Sequence, residues 1–278
     1  MNNHRSSIFL LLLTALLWST GGFLIKLVVW HPLAIAGGRS AIAAIVLWVF
    51  LKKPQFNWSP IQIIGALCYA ATVILFVLAN KMTTAANAIL LQYTGPIYVA
   101  LLSSWLLKER ITKIDWLSII TAMFGMALFF LDSLSTEGML GNIIAIAAGI
   151  AFAGLAISLR KQKEGSPTES ILLGNILTAI IGIPFMIDSG LPNNESIIGI
   201  VLLGTIQLGL PYILYAKAIK HVTALESVLI PVLEPLLNPL WVFMAHGEKP
   251  GTWANIGGAI VLIAILGRSV LQKGLKKS

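Results

Sequence analysis

Long apolar stretches alternate with short polar interruptions from one end of this chain to the other. Ten stretches approach or exceed the roughly 20 residues that a helix needs to cross a bilayer at about 1.5 Å of rise each. They are 7–29, 33–51, 60–79, 83–107, 113–131, 139–160, 168–187, 195–216, 221–245 and 252–271. Runs such as Ile8–Leu17 do not alternate apolar with polar positions, which excludes a membrane β-barrel. Turn-forming residues separate the stretches: His31-Pro32, Lys53-Pro54, Ser59-Pro60, Gly165-Ser166-Pro167, Leu191-Pro192-Asn193-Asn194 and Pro250-Gly251. No interruption is long enough for a soluble domain. The pattern predicts an all-α polytopic membrane protein with ten transmembrane helices.

The pattern also repeats. Residues 79–109 align without a gap on 218–248, at a constant offset of 139. Lys81 falls on Lys220, Thr84 on Thr223, Pro96 on Pro235 and Glu109 on Glu248. Upstream, Gly65, Ile74 and Leu75 fall on Gly204, Ile213 and Leu214. Matches among Leu and Ala are cheap in so apolar a chain; matches at Lys, Thr, Pro and Glu are not. An internal duplication follows, with repeats at 1–137 and 138–278. Five helices per repeat is an odd number, so the second copy enters from the opposite side. Such inverted repeats are typical of secondary transporters, whose substrate sites lie near the midplane between the halves.

Composition agrees with the pattern. The 278 residues are 57% hydrophobic and only 11% charged, under half of what a soluble surface needs. The formal charge of +8 resides in short loops rather than on one patch, so the lipid bilayer explains it better than nucleic acid. With the N-terminus taken as cytoplasmic, fourteen of the nineteen Lys and Arg fall at inner ends, Lys249 among them. Lys26, Lys81, Lys217 and Lys220 are assigned to outer ends, and Glu226 lies near the outer surface. The excess places both termini in the cytoplasm of a cell whose cytoplasmic membrane holds the chain. Arg39, near the outer start of its span, is expected to snorkel to the headgroups. The first apolar stretch is too long for a signal-peptide core and is read as a retained helix. The single cysteine, Cys68, excludes an intrachain disulfide. His4, His31, His221 and His246 fall at span ends without metal spacing, and no phosphate-binding loop or zinc-protease helix is present. No cofactor or metal is expected.

Candidate chemistry gathers at one depth. In the ninth stretch Pro231, Pro235 and Pro239 recur every fourth residue. Each lacks an N–H and frees the carbonyl four residues earlier, here Ser227, Pro231 and Pro235. Hydrocarbon cannot satisfy those carbonyls, so their stripe must face protein or a cavity. Glu234 and Asn238 lie on an adjoining stripe. A mid-span carboxyl is costly, and two readings of Glu234 stay open: a proton- or cation-binding group, or a protonated group that glues helices. Trp18, Gln92, Tyr93, Gln207 and Tyr212 sit at comparable depth, with Pro96 beside them. Amides, aromatics and helix-loosening prolines at one level suit a small-molecule site. Substrate-binding candidates are therefore Trp18, Gln92, Tyr93, Gln207, Tyr212, Glu234 and Asn238; hinge candidates are Pro96, Pro231, Pro235 and Pro239.

Trp18-Ser19-Thr20-Gly21-Gly22 with Lys26, Pro96 with Lys108-Glu109-Arg110, Leu233-Glu234-Pro235 and Gly247-Glu248-Lys249 occur in an order that resembles the EamA-type permeases of the drug/metabolite transporter superfamily. The resemblance covers essentially the whole chain. It implies a cavity built from spans one, three, four, six, eight and nine, alternating access between the repeats, and more often export than uptake of a small metabolite such as an amino acid or amine. Protons are one candidate coupling ion. His246 stands where an apolar residue is commoner, a departure from the family pattern. Two other classes remain: a membrane receptor or assembly subunit that moves nothing, and an intramembrane enzyme, for which no nucleophile–base pair stands out.

Overall fold

The protein was analysed as a computed structural model that describes residues 2–21, 24–25, 28–237 and 251–275. Gly22, Lys26, Asn238, Pro239, His246, Glu248 and Lys249, all singled out above, lie outside the described residues.

Among the described residues every long element is a helix. In chain order they are α1 (Asn2–Trp18), α2 (Pro32–Leu51), α3 (Pro60–Met82), α4 (Ala85–Gln92), α5 (Gly95–Leu106), α6 (Lys113–Phe129), α7 (Met139–Lys161), α8 (Pro167–Ser189), α9 (Asn194–Leu202), α10 (Leu210–Ala218), α11 (Ala224–Leu229) and α12 (Thr252–Leu275). A π-helical stretch, Leu203–Gly209, joins α9 to α10, and a 3-10 turn, Ile230–Leu233, follows α11. Seven helical segments are long and apolar enough to cross a membrane, counting α4 with α5 and α9 with α10. The apolar helices α1 and α6 have 17 residues each. Large apolar side chains such as Ile45, Leu67, Trp105, Phe124, Ile187 and Leu266 point outward, as lipid-facing surfaces require.

Local sequence explains the ends. Proline opens α2, α3 and α8, where its missing N–H has no helical partner to lose. Thr84 caps α4 by accepting from the Asn87 N–H; Thr223, its mate at the 139-residue offset, caps α11 by accepting from the Glu226 N–H. The two helices also break in the same register. α4 ends at Gln92, and α5 resumes at Gly95-Pro96. After α11, the 3-10 turn spans Ile230–Leu233 and αR geometry resumes at Glu234, just before Pro235.

Helix pairing follows the same offset. The most extensive contacts are α3 with α7, α2 with α8 and α6 with α12, followed by α3 with α8 and then α1 with α10. Adding or subtracting 139 turns the α3–α7 pair into the α10–α1 pair and returns α2–α8 and α6–α12 to themselves. The self-mated pairs cross at glycines. A Cβ on Gly182 would lie 2.6 Å from the Gly37 Cα, and one on Gly125 would lie 2.9 Å from the Gly257 carbonyl oxygen. Small residues of this kind let membrane helices approach backbone to backbone.

Contacts at the two ends of the bundle correct the charge assignment. Arg160 Nη1 donates to the carbonyls of Ile219 (3.0 Å) and Lys220 (2.8 Å), and Lys220 Nζ donates to Gly165 O at 2.7 Å. Lys217 lies over the Phe50 ring at the end of α2, 4.8 Å from its centroid. Lys217, Lys220 and Glu226 therefore share the end that holds Lys52, Arg160 and Lys161, not the opposite one. A span that begins at the turn near 195 must end across the membrane, and assigning 217–226 to the other face broke that alternation. Moving the two lysines to the basic end deepens the asymmetry. Gly251 sits at the opposite end, beside Asp132.

At the basic end Glu226 is held by several partners. Its carboxylate accepts from the Thr223 N–H (2.8 Å), contacts His4 Nε2 (3.2 Å) and faces Arg268 Nη1 (3.5 Å), while Arg268 Nε donates to Asp115 at 2.8 Å. Nearby, Glu109 accepts from Arg160 Nε at 2.7 Å and from the Ala224 N–H at 2.9 Å. These contacts tie α1, α5, α6, α7, α11 and α12 together at the basic end. The opposite end is tied by neutral groups. Asn87 Nδ2 donates to Ser135 O (2.7 Å) and Asn142 Oδ1 (2.9 Å), and Thr83 Oγ1 donates to Asn142 Oδ1 (2.8 Å).

Candidate substrate cavity

The two broken helices and the π segment surround a narrow cavity of about 50 Å³. The break after α4 is seated by Gly149 of α7. A Cβ there would lie 2.6 Å from the Gln92 carbonyl oxygen, so only glycine lets α7 approach so closely. Gln92 and Tyr93 thereby reach the cavity. The π segment widens its helix by one residue per turn, a distortion that recurs at functional sites, and presents Gln207 and Leu208. Gly204 in the same segment admits α2, since a Cβ there would lie 2.7 Å from the Arg39 carbonyl oxygen. Gly21 faces the Gln207 side chain at similarly close range.

Trp18, Gln92, Tyr93, Gln207, Tyr212 and Glu234 all line this one cavity. They arrive from six separate segments: α1, α4, the turn after α4, the π segment, α10 and the residue after the 3-10 turn. Of the hinge candidates, Pro96 and Pro235 stand where their helices restart, and Pro231 lies within the 3-10 turn.

The aromatic wall is continuous. Ring centroids of Trp18 lie 5.1 Å from Tyr212, 5.5 Å from Tyr215 and 5.9 Å from Phe152, and Tyr212 packs on Tyr69 at 4.7 Å. Trp18 Nε1 is buried without a hydrogen-bond partner. The Tyr93 hydroxyl lies 2.5 Å from Glu234 Oε2 and 2.9 Å from the Pro231 carbonyl oxygen. That carbonyl is one of those freed by the proline spacing, here by Pro235. A hydroxyl has one proton, and a carbonyl can only accept. When both contacts are hydrogen bonds, Tyr93 donates to Pro231 and Glu234 supplies the second proton.

Arg39 is the cavity residue that sequence reasoning misplaced. It does not reach the headgroups: it is 1% exposed and lines the cavity. Nη1 donates to Gln207 Oε1 at 3.1 Å and Nη2 to the Val73 carbonyl at 3.3 Å; Nε has no partner. Seven residues of helix place it about 10 Å inside the start of α2, within the apolar slab. Thr72, Val73, Phe76, Ile89 and Phe152 complete the lining. As ordinary residues of apolar spans they carried no signal, whereas Arg39 did carry one: a charge inside a span. Among the described residues no cluster of His, Cys, Asp or Glu could hold a metal ion.

Comparison with known proteins bears on what the cavity serves. A model of the EamA-like transporter family matches residues 5–131 and again 139–270. The chain is 27% identical over 281 aligned residues to the uncharacterized transporter YwfM of Bacillus subtilis (strain 168), covering 96% of this chain and 94% of that protein. It is 23% identical over 247 residues to the pseudopaline exporter CntI of Pseudomonas aeruginosa (strain UCBPP-PA14), covering 85% of each. A crystal structure of a protein 19% identical in sequence superposes with a TM-score of 0.84 over 98% of this chain and 99% of the other, a likeness of fold.

Proposed function

This chain belongs to the EamA-like transporter family, and from that premise we propose that it is a ten-helix secondary transporter exporting a small organic solute by alternating access between two inverted repeats, 1–137 and 138–278. The observation that carries this reading is the cavity itself. Six polar or aromatic residues from both halves of the chain, most of them at helix breaks, converge on one space between the repeats. Inversion is supported by direction. α3 starts beside Gln162, which donates to Ile61 O at 3.4 Å, whereas its mate, α9 to α10, finishes beside Arg160. Two separate family matches support dividing the chain near residue 138. The basic end is assigned to the cytoplasm, with both termini there, by its excess of Lys and Arg. A relative named as an exporter supports the direction.

Protons are the coupling ion in this reading. Ionisation of Glu234 turns the Tyr93 proton toward the carboxylate and strips the Pro231 carbonyl of its donor. The charge state of one side chain is thereby linked to the backbone of the 3-10 turn, the place where that helix can bend. Opening toward the cytoplasm requires the Glu109–Arg160–Ala224 ties to part. The test is flux through purified protein in liposomes, measured as counterflow of labelled amino acids and amines across a pH gradient. Wild type is expected to move solute faster when the gradient is imposed. Glu234→Gln is expected to fold and exchange solute but lose the response to the gradient. An unchanged response in the variant overturns proton coupling through Glu234. Solute binding without flux favours a receptor instead.

A further inference from the structure

Two N–H groups of residues in the cavity wall have no acceptor in the protein: Nε of Arg39 and Nε1 of Trp18. Both residues are buried, at 1% and 6% exposure. Arginine and indole nitrogens donate and cannot accept, so a lone pair must be brought to them. The other Arg39 nitrogens donate to neutral oxygens, Gln207 Oε1 and the Val73 carbonyl. Among the described residues no ion pair includes Arg39, although pairs out to 3.9 Å occur elsewhere. A buried guanidinium without a counter-charge is costly, and an anion beside it removes much of that cost.

We propose that this cavity is a chloride site, with the ion on Arg39 and Trp18 Nε1 and its binding linked to a proton on Glu234. Size selects the ligand. In this conformation the space of about 50 Å³ is far below the several hundred Å³ of an organic-ligand site, and an organic solute requires the walls to part. It has room for one or two particles of water size, at about 30 Å³ each. A halide is little larger than water, whereas sulfate and phosphate are bulkier and bring more charge than one guanidinium offsets. Charge then decides between halide and water. A water oxygen satisfies the N–H groups but leaves the guanidinium charge unmet. Arg39 is the one cation and Glu234 the one carboxyl among the described lining residues. The other titratable groups around Glu234 are the hydroxyls of Tyr93 and Tyr212, with Tyr69 and Tyr215 packed behind Tyr212. An ionised Glu234 balances Arg39 across the space, and water then suffices. A protonated Glu234 leaves one net positive charge, which one halide neutralises. Anion and proton therefore favour each other's binding. The site goes beyond the transport reading, because it needs the donors and not the flux.

The experiment follows the line width of the chloride NMR signal over purified full-length protein in detergent, with chloride replacing gluconate at constant ionic strength. The expected result is a saturable broadening that bromide reverses and that acetate and sulfate do not. Arg39→Gln is expected to remove it. Trp18→Phe, which keeps a ring in the aromatic wall, is expected to weaken binding about tenfold or more through loss of a hydrogen bond to a charged partner. That variant keeps the site testable if Arg39→Gln does not fold. Affinity should rise as pH falls, by up to about tenfold per unit, the limit for one linked proton. Glu234→Gln should keep the binding and lose its pH dependence. Broadening that survives Arg39→Gln is an adventitious ion only, held by surface lysines. Reversal by acetate as strong as by bromide makes the donors a carboxylate site, and no saturable broadening leaves them to water. Each of these outcomes overturns the proposal, as does full affinity in Trp18→Phe or a flat pH dependence in wild type. Failure of counterflow touches the transport reading alone, since binding is read here without flux.

Discussion

Tyr93 ties the cavity to the 3-10 turn of the opposite helix with a single hydroxyl. Tyr93→Phe leaves the Pro231 carbonyl buried without a donor, a loss of about 1–3 kcal/mol. The variant is expected to unfold at a lower temperature, and the pH at which its flux is half-maximal should move. A lower midpoint with an unmoved pH profile would make the hydroxyl a packing contact and separate it from Glu234. Six of the residues around this cavity were legible in the sequence, because depth in a membrane can be counted from a span's end and polar side chains stand out against hydrocarbon. Arg39 was legible as a charge and misread as a place. Depth alone put it near a surface, while the glycine-dependent approach of α2 to the π segment, which no local pattern announces, turned it inward. Phe76 and Phe152 were illegible because an aromatic ring in an apolar span contrasts with nothing.

At the scale of elements, the breaks were anticipated by Pro96 and Pro235, but the π segment was not. Its widening depends on what α2 presses against, and periodicity does not register one extra residue in a turn. The caps at Thr84 and Thr223 were visible as matched residues before either helix end was known. The Gly37–Gly182 crossing is where the element scale can be tested. Gly182→Leu forces side-chain atoms into the α2 backbone, and overpacking of this kind typically costs about 1–3 kcal/mol. The expected outcome is a lower thermal midpoint in detergent, with no such loss for Gly267→Ala in α12, whose site is open. Equal stability of Gly182→Leu and wild type would mean that α2 and α8 do not meet as described.

For the whole molecule, alternation of direction is the strongest constraint, and it overrode the charge count where the two disagreed. The orientation is tested with single cysteines in a Cys68→Ala background. Cysteines at the exposed positions Thr136 and Leu191 should react with an impermeant thiol reagent in intact cells, and those at Glu164 and His221 should react only after lysis. Labelling of His221 from outside would restore the discarded assignment of that loop; labelling of Glu164 and His221 alone would invert the protein. The cap mates carry one more consequence. Thr84 and Thr223 play the same part at opposite ends, but the third helical residue is an amide, Asn87, at one and a carboxylate, Glu226, at the other. If the repeats trade conformations during the cycle, the two barriers are built to one plan from different materials: charged groups at the basic end, neutral ones at the other. The Asn87–Asn142–Thr83 tie then holds no ionised group, while the Glu226–Arg268–Asp115 tie is held by charge, so added salt weakens one end and not the other. A single position, Asn87 against Glu226, decides which of the two ends is fastened by charge.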